Sequence, residues 1–419
     1  MKGGRAFLFF LAGQGISNLG DSFRFIAVTM LIFRLTGSGV TAALGIALST
    51  LPSIITSPFA GVLGDRIDER RLLTLLDLGR FITVPLFLYT YSVTQIYLLL
   101  ILLSLFDVFY GPSRKKFILG MTGRKGALKA NSLLTGVSGA AYLTGPLTAG
   151  FLTDSYGSAP AILIASLCCL ASCLATFFAG IVHGKACMGH KKKHLVNQPQ
   201  NKLQQRNKAT VLLFLSAGFR EGLIYCLKTP AVKGLLVVAL IMGFCTISVN
   251  LAFYPYAFDM LKVTGKGWSL IITIYSGTNL VAMVLMKYLD KHCKGREGRV
   301  FYTGLSMVAV IWAFYAFATK YAHVLLLQFI EGSIIAVCSI LLAARFQVIT
   351  DKDYMARVSG MNELFSNVGK LGGMCFTAVL TGGFSFGAVF ILNSAIILLF
   401  AIDRLISSKW SLLGFQSSR

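Results

Sequence analysis

The sequence predicts an all-α membrane protein of twelve transmembrane helices, and three observations carry that reading. Hydrophobic residues make up 55% of the 419-residue chain and charged residues only 13%, against ~25% charged in soluble domains. Apolar runs of spanning length recur along the whole chain. Lys and Arg gather in alternate connections between those runs. One span needs ~20 apolar residues. Hydrocarbon offers no partner for a bare backbone, so each span must be a helix.

The runs fall at 7–33, 40–62, 73–93, 95–113, 130–153 and 158–182, then at 234–258, 268–289, 299–319, 322–344, 357–380 and 384–405. The first follows Met1 to Arg5 as a signal peptide would, but no small-residue cleavage site comes after it, so it reads as the first span. The net charge of +23 arises from 39 Lys+Arg against 16 Asp+Glu. Those charges lie between apolar runs rather than on a soluble face with interleaved aromatics, which argues against nucleic-acid binding.

With a cytoplasmic N-terminus, the inner connections hold Arg66, Arg70 and Arg71, then Arg114, Lys115, Lys116, Arg124, Lys125 and Lys129. The third inner connection, 183–233, holds ten Lys+Arg, and the fourth holds Lys291, Lys294, Arg296 and Arg299. Outer connections offer only Arg34, Lys262, Lys266 and Lys320. This positive-inside bias predicts that both termini are cytoplasmic and that the chain is a multi-pass protein of the inner (plasma) membrane.

The connection 183–233 divides the chain into a six-helix bundle over 1–182 and a second over 234–419. Its stretch from His190 to Lys208 is polar and basic, a flexible linker, and Ser216 to Thr229 reads as a short amphipathic helix along the membrane surface. His183, Cys187, His190 and His194 fit no standard zinc spacing, so no metal is expected. Six of the nine cysteines lie in apolar runs, and no disulfide framework is implied. The halves repeat weakly: Leu63-Gly64-Asp65-Arg66 has a counterpart in Tyr288-Leu289-Asp290-Lys291, and Ala130-Asn131 in Met361-Asn362. Six-plus-six duplication is a transporter architecture, with substrate held at the midplane between halves.

The first inner loop reads Gly61-Val62-Leu63-Gly64-Asp65-Arg66-Ile67-Asp68-Glu69-Arg70-Arg71. Gly61 and Gly64 let two helices approach closely, Asp65 can counter a neighbouring helix N-terminus, and the arginines suit an anionic surface. This loop resembles the loop 2–3 signature of the major facilitator superfamily, with Asp68 where that pattern has a glycine. The variant is similar to the branch of macrolide efflux proteins and enterobactin-type siderophore exporters. Further matches to that branch run from Gly13-Gln14 through Gly20-Asp21, Arg34 to Ser38, Pro52 through Pro58, Pro112-Ser113-Arg114, Ala130 to Leu133, Arg220-Glu221-Gly222 and Ala356-Arg357-Val358. In span 5, Gly136, Gly139, Gly145-Pro146 and Gly150 are close to the glycine-proline pattern associated with antiporters, although Ala141 and Ala149 replace two of its glycines. The arginine that many proton-coupled members carry in span 4 is not evident, and Asp107 and Tyr110 occupy that region. The resemblance implies a major facilitator fold, a gating role for the loop with Asp65, and a packing motif of Gly145, Pro146 and Gly150. Asp77 and Arg80 lie close to the cytosolic end of span 3 and read as part of the inner gate network with Asp65, or as substrate ligands.

Ionisable groups inside the membrane are costly and therefore functional candidates. At 100° per residue, Gln14, Ser17, Asn18, Asp21 and Arg24 share a stripe about 120° wide on span 1, which must face protein or a water-filled cavity. Asp21 is either a proton-coupling or substrate-cation-binding carboxylate or the partner of Arg24 one turn away. Glu331 in span 10 and Glu363 in span 11 are further coupling candidates, or counter-charges for Lys370, which shares a face with Glu363, Ser366 and Asn367. Gln14, Asn18, Arg24, Asp107, Tyr110, Asn367 and Lys370 are candidates to line a substrate cavity. Asn250, Tyr254 and Asn279 could line it as well, for an amphipathic substrate, or belong to an interfacial aromatic belt, as Tyr256 and Asp259 do.

No Walker loop, HExxH or strand-borne GxSxG is present, so the chain is expected to be no enzyme and to need no cofactor. The expected partners are a small-molecule substrate, protons and the lipid bilayer, and the chain is expected to act as a monomer. The function implied is export of a drug or siderophore in exchange for protons. Transport of a lysophospholipid and a non-transporting membrane sensor are the alternatives.

Overall fold

The computed structural model describes residues 4–64, 68–188, 223–293, 296–350, 354–383 and 385–406, and those residues are helical apart from short connections. The helices are α1 (Gly4–Thr36), α2 (Gly39–Gly64), α3 (Glu69–Thr83), α4 (Val93–Tyr156), α5 (Ser158–Met188), α6 (Pro230–Pro255), α7 (Gly265–Cys293), α8 (Glu297–Tyr315), α9 (Tyr321–Ile349), α10 (Met355–Gly383) and α11 (Phe386–Ile406). Nine helical segments among the described residues are long and apolar enough to cross a membrane. The expected spans 130–153, 268–289 and 357–380 are not among those nine, yet each lies inside a helix. Their polar residues, such as Asn279 on α7 and Glu363 and Lys370 on α10, dilute the apolar signal. Of the surface helix expected over Ser216 to Thr229, residues 223–228 are described and helical. Thr229 is described and lies between that helix and α6, while residues 216–222 and the linker from His190 to Lys208 lie outside the described residues.

Local sequence explains the element ends. Ser92 caps α4 by accepting from the Gln95 N–H, while the Gln95 side chain accepts from the Ser92 N–H, a reciprocal capping box. Pro85 stands at the start of a 3₁₀ turn, Val84–Tyr89, that continues α3. Pro255 ends α6 in a π turn, Tyr256–Met260, where the Leu261 N–H reaches the Tyr256 carbonyl.

The run α4 covers two expected spans, and Gly123 divides it. Its φ of 67° and ψ of 171° lie outside the helical region, a conformation open to glycine. The two arms run in opposite directions against α1. Along the first, Arg114 meets Gln14 and Asp107 meets Arg24. Along the second, Ser138 meets Asn18 and Thr153 meets Arg34.

The described residues form two compact units. The first comprises α1 to α5 with Tyr254–Gly277. In it α1 packs on α5 through small residues: a methyl at Gly13 or Gly20 would lie 2.6 Å from Ala175 or Cys168, the close approach that small residues allow between membrane helices. Asp154 at the end of α4 accepts from the Gly265 and Lys266 N–H groups that open α7, at 2.9 and 2.8 Å, so a carboxylate satisfies orphan donors of a helix start. The second unit holds residues 223–253 and those from Thr278 onward. There Ser248, Thr377 and Asn393 form a buried hydrogen-bonded chain joining α6, α10 and α11.

Candidate functional site

The polar stripe of α1 faces charges from α3 and α4 inside the first unit. Asp21 and Arg24 are one turn apart and 3.1 Å from each other. Helix α3 presents Asp77 and Arg80 at the same spacing, 3.7 Å apart. The first arm of α4 sets Asp107 between the two arginines: one oxygen is 3.6 Å from Arg24, and the other is bonded to Arg80. Asp77 is fully buried and accepts from the Ser172 hydroxyl of α5 at 2.9 Å. Its second oxygen has no hydrogen-bond partner among the described residues and faces the Arg80 guanidinium at 3.7 Å.

Around these charges sits a neutral layer. The Arg80 guanidinium lies 4.2 Å from the centre of the Tyr110 ring, a cation–π contact. The Tyr110 hydroxyl accepts from the Gln14 amide, and the Gln14 carbonyl accepts from Arg114 at 3.3 Å. Asn18 donates to Ser138 at 2.8 Å. A charge alone at this depth costs several kcal/mol, and mutual pairing offsets that cost only when geometry and hydrogen bonds are good.

The network holds three carboxylates (Asp21, Asp77, Asp107) against two guanidiniums (Arg24, Arg80), so one negative charge is in excess when all are ionised. Asp107 is the member most open to water, with 41% of its side chain exposed. With Arg24 it lines a cavity of about 130 Å³ between α1, α2 and α4, alongside Thr29, Ser49 and Ser104. At about 30 Å³ per water, that volume takes a few waters, and it is below the ~300 Å³ of a drug-sized site. The arrangement can bring water to a carboxylate that bridges two cations.

The other expected residues are placed as follows. Gly61 and Gly64 lie in the last turn of α2, and Asp65 and Arg66 lie outside the described residues. Asp68 is the N-cap of α3 and accepts from the Arg71 N–H at 3.1 Å, which accounts physically for an aspartate where the family pattern has glycine. Arg70 reaches the Phe177 carbonyl on α5. Gly145 lies against Ser22 of α1, leaving no room for a side chain. Pro146 is in the same turn of α4, and Gly150 packs closely on Ser269.

In the second unit, Lys370 donates to Asn367 at 3.3 Å, and no ion pair joins it to Glu331 or Glu363 among the described residues. Glu331 is buried and accepts from Trp312 Nε1 at 2.8 Å and the Tyr315 hydroxyl at 2.7 Å. Two neutral donors therefore serve Glu331 where the sequence suggested a cation. Glu363 is exposed, and Asn279 is half-buried. Asn250 is exposed and its amide returns to the Thr246 carbonyl of its own helix. Tyr254, in the first unit, is buried with its ring 4.9 Å from that of Trp268, and Tyr256 is buried as well. Asp259 accepts from the Gly39 N–H at 2.7 Å.

Sequence reasoning did not find Ser172, Asp154, Trp312 or Tyr315. The pair Trp312 and Tyr315 had a findable signal, since residues three apart share a helix face and both carry a donor.

A many-helix membrane protein with charges paired inside its spanning region has the build of a multi-pass transporter. The chain belongs to the Major Facilitator Superfamily, which it matches over residues 6–370. It is 22% identical over 413 residues to the "Uncharacterized MFS-type transporter YfiS" of Bacillus subtilis, covering 95% of this chain and 92% of that protein. It is 24% identical over 362 residues to the "Multidrug resistance protein MdtG" of Escherichia coli, covering 85% and 81%. The solved nucleoside transporter NupG has the same fold, with a TM-score of 0.69 at 13% identity over 96% of this chain and 98% of that one.

Proposed function

We propose that this transporter exports a small amphipathic molecule, of drug or siderophore class, by alternating access in exchange for protons. The observation that carries the reading is Asp107, held between Arg24 and Arg80 and open to the cavity beside them. Protonation there would cancel the charge that ties α1 to α3, so proton binding and helix packing are linked. Asp21 supplies the excess negative charge, and Glu331 and Glu363 are second candidates for coupling. The name of the MdtG relatives, multidrug resistance proteins, supports the drug class.

In this reading twelve spans form two six-helix bundles that rock about a midplane site. Both termini and the basic linker lie in the cytoplasm of an inner membrane, and the monomer is the working unit. The loop from Gly61 to Arg71 gates the inner side. The test is uptake into inverted membrane vesicles across a panel of drugs, siderophores and lysophospholipids, with the proton gradient intact or collapsed. Gradient-dependent uptake of a drug or siderophore is expected. Uptake of lysophospholipid alone would move the assignment to lipid transport, and no uptake of any compound would favour a sensor.

A further inference from the structure

We propose that a basic pocket in the second unit binds the phosphate headgroup of an anionic phospholipid. The pocket lies between the start of α6, the first turns of α8 and the last turns of α11, and has a volume of about 420 Å³. Lys233 and Arg404 supply its charge, and Leu227, Val237, Tyr302 and Phe400 supply most of the rest of its wall.

Charge is the first argument. Lys233 is exposed, and no carboxylate among the described residues forms an ion pair with it. Among the described residues Arg404 has one counter-ion, its neighbour Asp403, at 3.4 Å. Asp403 is itself 64% exposed, so water weakens that pair. The guanidinium lies 5.4 Å from the Phe400 ring centre, over its face. Two basic groups therefore share a cavity with little to neutralise them.

Amphipathic shape is the second. Leu227, Leu399 and Ile406 are exposed around this end of the unit, a surface that matches acyl chains and not a soluble anion. Depth is the third. The pocket sits at the helix ends that adjoin the basic connections, where basic pockets between spanning helices meet anionic headgroups. The ligand is bound and not transported, so the proposal stands apart from the export reading, and its test measures binding alone.

The experiment is a thermal melt of the purified full chain in detergent, titrated with phosphatidylglycerol, with phosphatidylcholine of the same chains, or with inorganic phosphate. Phosphatidylglycerol should raise the midpoint, and the other two should not. At ~1 kcal/mol per basic residue near the surface, Lys233→Gln or Arg404→Gln should each weaken the titration about fivefold, and the double variant about thirtyfold. An equal response to both lipids, a wild-type titration by the double variant, or a shift with inorganic phosphate as large as with lipid would overturn the proposal. Should the double variant fail to fold, Leu227→Trp leaves both charges in place. Brominated phosphatidylglycerol should then quench the added fluorescence more than brominated phosphatidylcholine, and equal quenching would overturn it.

Discussion

The two units bury carboxylates in opposite ways. In the first, Asp21, Asp77 and Asp107 share Arg24 and Arg80, so each acid is paired with a cation although one negative charge is in excess. In the second, Glu331 meets one neutral donor per oxygen, Trp312 and Tyr315, with no cation paired to it among the described residues. A charge-paired network responds to the loss or gain of any one charge, because every member shares a partner. A carboxyl clamped by neutral donors depends on local hydrogen-bond geometry and communicates with nothing charged. The first arrangement suits a moving, coupled element, and the second suits a fixed joint between α8 and α9.

The largest expected effect breaks the network at its hub. Arg80 is almost fully buried and partners both Asp77 and Asp107. Arg80→Met would strand the buried Asp77, at a cost of about 3–5 kcal/mol. Thermal melting and monodisperse yield should both collapse, and adding Asp77→Leu should recover much of the loss. A wild-type melt for Arg80→Met alone would show that charge does not hold α3 to α4.

The clamp gives the next effect. Glu331→Ala leaves the Trp312 N–H and the Tyr315 hydroxyl unpaired, at about 1–3 kcal/mol for each buried group. Glu331→Gln keeps an acceptor for Trp312, and the Tyr315 hydroxyl can turn to accept from the new amide. The melting midpoint should therefore fall well for Ala and little for Gln. Equal losses would mean that Glu331 matters through its charge, and the contrast between the units would fail.

Asp107→Asn should be milder. Its side chain is 41% exposed, so solvent screens its two pairs, and about 1 kcal/mol is the expected cost. A double-mutant cycle with Arg24→Gln measures the coupling directly. An interaction above about 3 kcal/mol would place this pair with the buried bridges instead.

How much of this was legible in the sequence depends on range. The stripe from Gln14 to Arg24 follows from helical period alone, because one helix fixes its own faces. Its partners do not: Tyr110 lies 96 residues from Gln14, and Asp107 lies 27 from Arg80. Hydropathy locates α3 and α4 without their rotation about their axes, so the meeting of Arg80 with Asp107 could not be read. A gating role for Asp77 and Arg80 was the natural expectation because both lie close to the cytosolic end of span 3. The structure sets both in the charged network with Asp107. The Glu331 clamp was missed for the opposite reason, since an intramembrane Lys370 invites an acid, while α9 turns Glu331 toward α8. The turn at Gly123 has a plain signal in a glycine within a basic connection, and the capping role of Asp68 shows only once α3 is seen to begin at Glu69.

The smallest expected effect on stability is also the sharpest on function. Asp21 is 29% exposed and among the described residues pairs only with Arg24, while Arg24 keeps Asp107 as a second partner. Asp21→Asn should thus cost no more than about 1 kcal/mol, and the protein should remain folded. A loss of flux in this variant cannot then be blamed on unfolding, as it could for Arg80→Met. If Asp21 carries the coupling charge, uptake into inverted vesicles should lose its pH dependence while substrate binding survives. If Asp21 serves only to neutralise Arg24, then Asp21→Asn combined with Arg24→Gln should restore pH-dependent uptake, because Asp107 still holds Arg80 and the charge balance is kept. Restored coupling in the double variant would remove Asp21 from the mechanism and leave Asp107 as the coupling carboxylate of the network, with Glu331 and Glu363 as second candidates.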